Sequence, residues 1–353
     1  MATSFKNFDD NSTAVTRNLL HEAIPITGSI VSGTYGDRNI KNYPHGMFQS
    51  VYDYPYLSSS ANHIFDLTAG YPASSHLSGT GHTQQAKKIN IYNEMAQVLV
   101  GYDETGAIRE FDADGDFAAV GSKIKEAYFV NFARLLSKDE IKKGSFTLTL
   151  GVGSTYATPF GANTVDLVDK SGSNGYKVNS PAGEYGILYA TGSALAGAGV
   201  DSQGYAPAGL LYYQAGVAVL TASVFSSLLT TDAVMDSAGN DVDAILTGSA
   251  ISGNCDDLRH RVQNISFNNT VELNSTIYYC RVNNTDFNYS SNPTYLSSSK
   301  IVVKNNSQDL PVSYMTTVGL YSPDNELLAV AKLSEPLKKD PSTEFTLRVR
   351  LDY

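Results

Sequence analysis

The chain contains no tryptophan and only two cysteines, Cys255 and Cys280, among its 353 residues. Two cysteines are too few for a disulfide framework, and there is no second cysteine pair that could complete a zinc site. We therefore expect two reduced thiols. Charged residues are also scarce, because they make up 17% of the chain against about 25% in ordinary globular proteins. Much of the polarity has to come from uncharged side chains.

Clustered basic residues and long apolar runs are missing as well. With 25 Lys and Arg against 35 Asp and Glu, the net charge is −10, so the basic footprint that binds nucleic acid is not expected. No run reaches the roughly 18 apolar residues of a membrane span. The N-terminal MATSFKNFDDNST lacks the basic start and apolar stretch of a signal peptide. We expect a protein that is made in a cytoplasm, with no nucleic-acid or membrane partner.

Tyrosine and apolar side chains are what the chain has in abundance. It carries 23 tyrosines, and 42% of its residues are hydrophobic, which is enough for real cores. Tyrosine combines contact area, rigidity and a hydrogen-bonding group, and it is enriched at protein interfaces. The composition favours a β-rich protein. The patterns along the chain predict an α+β fold of mostly antiparallel sheets with a few helices.

Residues 1–82 lack sustained periodicity and are predicted to form an extended N-terminal arm. One helix is expected at Ser12–Ala23, before Pro25 stops it. The remainder is rich in Gly, Tyr and Pro, but its apolar content is too high for a solvated linker. We interpret it as an arm that packs on neighbouring subunits. Its candidate subunit contacts are Tyr43, Phe48, Tyr52, Tyr54 and Tyr56.

Residues 83–253 are predicted to form a central α+β domain with a Gly/Ala-rich insertion near 154–208. Over 83–99 apolar residues recur at three and four positions, which predicts a helix with an apolar stripe. The capping-box sequence SKDE at 137–140 predicts the start of a short helix. The sequence QAG at 214–216 predicts a hairpin turn between two apolar strands.

Residues 254–353 are predicted to form a C-terminal β-domain, sandwich-like in architecture. In its last strand the apolar side chains of Leu347 and Val349 alternate with those of Arg348 and Arg350. This alternation predicts one buried face and one wet face. Strands are expected near 270–282, 300–304, 315–321, 327–333 and 343–351.

Acidic residues and histidines occur in two groups with the residue types of a metal site. Asp112-Ala-Asp114-Gly-Asp116 resembles the start of a calcium loop, but Phe117 stands where an EF-hand needs glycine and Lys123 where it needs glutamate. We interpret this stretch as a polar turn, and no metal site is predicted. The second group has a spacing that matches no standard motif; it consists of His63, Asp66, His76 and His82.

Patterns of catalysis and cofactor binding are incomplete. The sequence SSSK at 297–300 matches the Ser-x-x-Lys pattern of penicillin-binding enzymes, but no Lys-Thr-Gly or Ser-Asp-Asn triplet accompanies it. Glycine pairs at 151–153 and 197–199 lack the third glycine of a dinucleotide fingerprint, and there is no P-loop. No nucleophile stands at an informative spacing from a base. The sequence predicts no catalytic residue, no cofactor and no enzyme activity.

Five stretches together resemble a known family. They are NHIFDLTAGY (62–71), KKINIYNEMAQVLVGYD (87–103), NFARLLSKDEIKKGSFTLTLGVG (131–153), VELNSTIYYCRVNNTDFNYSSNPTYLSSSKIVVKN (271–305) and TTVGLYSPDNELLAVAKLSEPLKKDPSTEFTLRVRLDY (316–353). They resemble virion structural proteins of contractile-tailed phages of marine cyanobacteria and related bacteria. The resemblance covers most of the chain outside 154–250, and the last hundred residues are the most specific.

The resemblance implies a non-enzymatic subunit of a phage particle, made in the host cytoplasm and then part of the virion. Its expected partners are other virion proteins and copies of itself. Its expected place is the tail assembly, in the baseplate or neck region. The alternative is a receptor- or glycan-binding component of a tail fibre or adhesin. The stretch 287–303 is interpreted as a connection between two strands, and its candidate packing or subunit contacts are Phe287, Tyr289 and Tyr295.

Overall fold

The computed structural model describes residues 5–29, 39–117, 121–132, 136, 140–160, 164–170, 172, 174–195, 199–288, 296–297, 300–301, 308 and 311–352. Strands account for 40% of the structure and helices for 14%, and the sheets are mostly antiparallel. The α+β, β-rich fold class predicted from the sequence is therefore confirmed.

The described elements alternate between long strands, short strands and three helices. The helices are α1 (Gln85–Leu99), α2 (Val242–Gly248) and α3 (Ile251–Arg261), with 3-10 turns at Asp10–Ser12 and Ala222–Phe225. The strands are β1 (Thr13–Ser29), β2 (Ile40–Asn42), β3 (Gln49–Tyr52), β4 (His63–Gly70), β5 (Phe111–Asp112), β6 (Lys123–Ile124), β7 (Ala127–Asn131), β8 (Glu140–Ile141), β9 (Thr147–Gly151), β10 (Thr164–Val168), β11 (Tyr185–Thr191), β12 (Tyr205–Tyr212), β13 (Val217–Thr221), β14 (Val262–Val282), β15 (Leu296–Ser297), β16 (Lys300–Ile301), β17 (Ser313–Tyr321), β18 (Leu327–Lys339) and β19 (Phe345–Asp352).

The chain divides into two compact units. The sheet unit contains residues 21–271, and the terminal unit contains residues 1–20 together with 272–353. In the sheet unit, neighbouring strands follow the order β9-β10-β11-β12-β13-β7-β4-β3-β2. Each of these neighbours is antiparallel. The hairpin predicted at 214–216 is confirmed, because it joins β12 to β13.

Helix α1 lies against β4 and buries part of the stripe that predicted it. Tyr92, Ala96 and Leu99 are buried. The close approach depends on Gly70 of β4, because a Cβ added there would stand 2.5 Å from the carbonyl oxygen of Lys88. The predicted helix is therefore confirmed, and it covers the sheet at β4.

A buried lysine joins α1 to the end of α2. The Nζ of Lys88 donates hydrogen bonds to the carbonyl oxygens of Leu246 at 2.6 Å and Ser249 at 2.7 Å. Carbonyls in the last turn of a helix lack an intrahelical donor, and a cation is favourable at that end of the helix. Burial lowers the pKa of Lys88 to about 8. The ammonium therefore acts as a C-terminal cap for α2.

Helix α3 corrects the expectation that the chain is β-structured from about residue 254. Its buried residues include Asn254, Arg259 and Arg261. The Nη1 of Arg261 donates to the carbonyl oxygens of Gly151 at 3.0 Å and Gly153 at 2.9 Å. Buried polar groups are tolerated when they are hydrogen-bonded, so this guanidinium fixes the end of β9 against α3.

In the terminal unit, the last part of β14 pairs with β19, and β1 lies next to β14. Val349 pairs with Tyr278 and is buried, whereas Arg348 and Arg350 are exposed. The alternation predicted for the last strand is confirmed. β17 and β18 form a separate antiparallel hairpin.

Three local predictions are corrected by the structure. Ser12–Ala23, predicted as a helix, is strand from residue 13 onward. Residues 39–82, assigned to the arm, contain β2, β3 and β4, whose apolar side chains join the hydrophobic core. Glu140, expected inside a short helix, begins β8 and pairs with Thr270 of β14; residues 137–139 lie outside the described ranges.

Candidate interaction surfaces

Aromatic side chains of the predicted arm form two adjoining groups on the sheet unit. The rings of Tyr43 and Phe48 lie 4.9 Å apart, and His45 contacts both at 5.4 and 4.9 Å. Tyr52 stands edge-on to His63 at 5.5 Å and lies 6.3 Å from Tyr56. We call these rings the aromatic patch; its members are Tyr43, His45, Phe48, Tyr52, Tyr56 and His63.

Exposure differs across the predicted contact residues. Tyr43, Phe48 and Tyr52 are half-buried, whereas Tyr54 is 47% and Tyr56 37% exposed. The segment is thus anchored in the sheet and presents only part of each ring outward. Side chains that already pack against neighbours lose less conformational entropy when a partner covers them.

Hydrogen bonds link the two halves of the aromatic patch. Ser50 lies opposite Asp66 in the register of β3 and β4, so their side chains share one face. The Tyr43 hydroxyl lies 3.1 Å from Ser50 Oγ, which in turn donates to Asp66 Oδ1. The Nε2 of His63 lies 2.7 Å from the same carboxylate oxygen. Asp66 therefore orients a ring on each side of it.

This network lacks the connectivity of a hydrolytic triad. In a triad the serine bonds to the histidine, and the histidine bonds to the aspartate. Here Ser50 and His63 both bond to one oxygen of Asp66, so the imidazole is not placed to take the serine proton. The arrangement suits the positioning of rings for contact rather than nucleophilic catalysis.

The other histidines of the second candidate metal group lie in separate environments. The Nδ1 of His76 lies 3.3 Å from Glu126 Oε1, and its Nε2 lies 3.2 Å from Asp243 Oδ2. The Nδ1 of His82 lies 2.8 Å from a backbone carbonyl oxygen. Within the described ranges these histidines form no ligand cluster with Asp66.

The acidic turn Asp112/Asp114/Asp116 does bring its carboxylates together. One oxygen from each lies within 4.8 Å of the others. The carboxylate of Asp112 is fully buried and pairs with the ammonium of Lys123. The backbone amides of Asp114 and Asp116 donate to the preceding aspartates at 3.2 Å. The structure thus shows a polar turn in which a lysine already compensates the buried charge.

A buried ionic network near β8 has no signal in the local sequence. Tyr213 Oη donates to Asp169 Oδ2 at 2.8 Å. The Nζ of Lys143 lies 3.1 Å from Glu140 and 2.7 Å from Glu184. Burial raises the pKa of Asp169. These groups come from distant strand ends, so their pairing joins those ends within the sheet unit.

β17 and β18 carry an exposed apolar face. Val330 lies opposite Gly319, and a register shift next to Tyr321 and Leu327 marks a bulge. A Cβ on Gly319 would stand 2.9 Å from the Tyr321 ring and 3.3 Å from Leu327, so both side chains lie over the glycine. Phe5 packs edge-on against Tyr321 at 5.0 Å. We call this surface the apolar hairpin patch; its members are Phe5, Tyr321, Leu327, Leu328 and Val330.

The apolar hairpin patch is open to solvent. Tyr321 is 46% exposed, Leu327 52%, Leu328 67% and Val330 53%, and Phe5 is 52% exposed. The sequence predicted an apolar strand at 327–333 but gave no sign that its side chains would remain uncovered. Contiguous apolar surface on a folded protein marks a site of interaction.

Phe287 lines a cleft of about 1040 Å³ in the terminal unit. The cleft is bounded by β14, β17 and the N-terminal segment, with Lys6, Phe8 and Val318 among its lining residues. Phe287 is half-buried, and its carbonyl oxygen accepts a hydrogen bond from Ser313 Oγ. It therefore serves packing within this unit. Tyr289 and Tyr295 lie outside the described residues.

Comparison with known proteins identifies no relative. No protein-family model, curated protein or solved structure matches the chain. Within the described ranges, no helix combines the length and the apolar character required to cross a membrane. The function therefore has to be inferred from the two surfaces themselves.

Proposed function

We propose that the chain is a non-enzymatic structural subunit of a tailed-phage virion, located in the tail assembly at the baseplate or neck. It acts through contacts with other virion proteins and with copies of itself. The observation that carries the proposal is the apolar hairpin patch. Its five apolar side chains are between 46% and 67% exposed. They are costly to leave in water and gain stability once a protein partner covers them.

The polar clusters support an assembly role over catalysis. Ser50 and His63 are both engaged by Asp66, and Lys123 compensates the buried Asp112. Among the described residues, these clusters fix strands and turns in place. A structural subunit needs such rigidity, since particles are built from repeated contacts between preorganised surfaces.

The virion proposal is tested on purified particles of the phage that encodes the chain. Mass spectrometry should detect the polypeptide at a constant ratio to other tail proteins after gradient purification. Gold-labelled antibodies against the chain should decorate the tail end or the neck. Particles that lack the polypeptide would refute the proposal, and a label confined to the capsid would refute the tail location.

A second candidate function is receptor or glycan binding by a tail-fibre component, which the aromatic patch favours. Aromatic rings stack on sugar faces, and the Ser50–Asp66 pair offers hydrogen-bonding groups beside them. A glycan array probed with the purified chain tests this candidate. Binding that is lost in Tyr56→Ala and retained in Tyr102→Ala, a comparably exposed tyrosine elsewhere, would support it. A blank array would refute it for the glycans displayed.

A further inference from the structure

We infer that the apolar hairpin patch binds the same patch of a second copy of this chain, face to face about a two-fold axis. This inference rests on the proposed assembly function and names the partner of one of its surfaces. It is carried by the distribution of charge around the patch and by the amount of apolar surface that the patch offers.

Opposite charges stand at the two ends of the patch. Glu326 lies at the tip of the hairpin, beside Leu327, and Lys332 lies on the far side of Val330. Both side chains are exposed. Thr317 pairs with Lys332 and Gly319 pairs with Val330, so Lys332 shares the exposed face with Val330. The hairpin thus runs from an acidic residue at its tip, through apolar side chains, to a basic residue that shares the face of Val330.

A two-fold axis that lies in the interface, perpendicular to the strands, makes such an arrangement self-complementary. Glu326 and Lys332 are six residues apart, which spans about 20 Å along a strand. When two copies overlie with their hairpins antiparallel, Glu326 of each copy lies over Lys332 of the other. Leu328 of each copy then lies over Val330 of the other, and two ion pairs close the ends. In an isologous contact every favourable pair occurs twice.

The edge of β18 is less suited to joining copies than its face. Pro336 cannot donate a backbone hydrogen bond, and the register of β18 against β17 shifts between Lys332 and Leu337. Proline and bulges on a strand edge oppose pairing with another strand. Copies therefore meet through side chains of the exposed face rather than by extending the sheet.

The size of the patch sets the expected strength of dimerisation. Five half-exposed apolar side chains amount to an apolar area on the order of 500 Å². A stable interface buries about 800 Å² on each partner. The free chain should therefore dimerise weakly, with a dissociation constant between roughly 10 μM and 1 mM. Repetition of the contact within a particle would strengthen it through effective concentration.

The test is sedimentation equilibrium of the purified full chain across a concentration series. The wild type should dimerise in the stated range. Leu328→Glu should weaken dimerisation more than about tenfold, because it places a charge in the apolar centre. Val98→Glu is the matched control, since Val98 is 66% exposed on α1, and it should dimerise like the wild type. Circular dichroism confirms that each variant remains folded.

Charge exchange tests the two-fold geometry. Glu326→Lys and Lys332→Glu, each alone, should weaken dimerisation about fivefold to tenfold, because each replaces two attractive pairs by two repulsive ones. The double variant Glu326→Lys/Lys332→Glu should restore the wild-type dissociation constant. A wild type that stays monomeric at about 1 mM, an unaffected Leu328→Glu, or a double variant as weak as the singles would overturn the inference.

The result of the dimerisation test can be distinguished from the result of the virion test. A chain that is found in virions but stays monomeric in solution would refute the two-fold contact and leave the structural role standing. A chain that dimerises through the patch but is missing from purified virions would refute the virion role alone.

Discussion

The contact between α1 and β4 can be broken by adding one methyl group. In Gly70→Ala the new Cβ would stand 2.5 Å from the carbonyl oxygen of Lys88, 3.1 Å from the amide nitrogen of Tyr92 and 3.3 Å from the Tyr92 Cβ. Two of these three atoms are backbone, so no side-chain rotation relieves the clash. The strand is also fixed, because Gly70 pairs with Ala127 of β7.

The helix therefore has to retreat by about 1 Å to reach normal contact distances. Overpacking of a close-packed core costs 1–3 kcal/mol and at times more, and we expect about 3 kcal/mol here because Tyr92 and Ala96 lose contact as well. For a unit of about 250 residues, 1 kcal/mol corresponds to about 2–4 °C in Tm. The Tm of Gly70→Ala should fall by about 6–12 °C in scanning calorimetry.

The same substitution at Gly248 is the control. Gly248 ends α2, its φ is not positive, and a Cβ there would meet nothing within 4 Å. Alanine favours helix over glycine by up to about 1 kcal/mol, so Gly248→Ala should leave the Tm unchanged or raise it slightly. A Gly70→Ala variant as stable as the wild type, or an equal loss of stability in both variants, would refute the clash between β4 and α1.

Three further predictions concern buried groups. Burial, with Asp236 and Asp256 adding to it, raises the pKa of Asp257 to about 7. The contribution of Asp257 to the free energy of unfolding is therefore full below about pH 4 and is lost as the pH rises through 7. In urea titrations Asp257→Asn should be up to about 4 kcal/mol more stable than the wild type at pH 8, and its free energy of unfolding should change less with pH. Val349→Asp should cost more than about 3 kcal/mol because it buries an unpaired charge, whereas Arg348→Ala on the exposed face should change stability by less than about 0.5 kcal/mol; equal losses in chemical denaturation would refute the face assignment. Burial raises the pKa of both thiols, and Cys255 is fully buried. Alkylation at pH 8 should therefore modify Cys280 first and Cys255 only on unfolding, as detected by peptide mass spectrometry.

Local patterns predicted the elements whose stabilising contacts are also local. Helix α1 was predictable because its apolar residues fall on one stripe, of which Tyr92, Ala96 and Leu99 are buried. The turn at 214–216 was predictable because a hairpin of this kind needs a left-handed glycine, and Gly216 has a φ of 64°.

Elements that depend on distant partners were not predictable in this way. The sequence of β1 has helical spacing, but Thr16 bonds to the carbonyl oxygen of Ser275, and pairing with β14 decides its conformation. Helix α3 buries Asn254, Arg259 and Arg261, so it shows no contrast between an apolar and a polar face. Tertiary contacts override local preference in both elements.

The candidate surfaces were likewise predictable only where local sequence patterns define them. Tyrosine abundance pointed to Tyr43 and Tyr52 as contact residues, but the role of Asp66 in orienting their neighbours depends on the register of β3 and β4. The exposure of the apolar hairpin patch could not be predicted from the sequence, for a different reason. An alternating strand shows which side chains share a face, and it does not show which face another element covers.

The two surfaces differ in a way that bears on how an assembly could grow. A two-fold contact through the apolar hairpin patch consumes that patch on both copies and closes the pair. Growth beyond a pair, or attachment to a different protein as the proposed virion role requires, then needs a second surface on each copy. We propose the aromatic patch for that role, because Ser50 and Asp66 hold the Tyr43 and His63 side chains while Tyr56 stays exposed. Interfaces rich in ordered tyrosine bind with little entropic cost. A chain whose apolar hairpin patch forms a dimer and whose aromatic patch contacts a further protein can join dimers into a larger ring. A chain with the apolar hairpin patch alone would stop at the dimer.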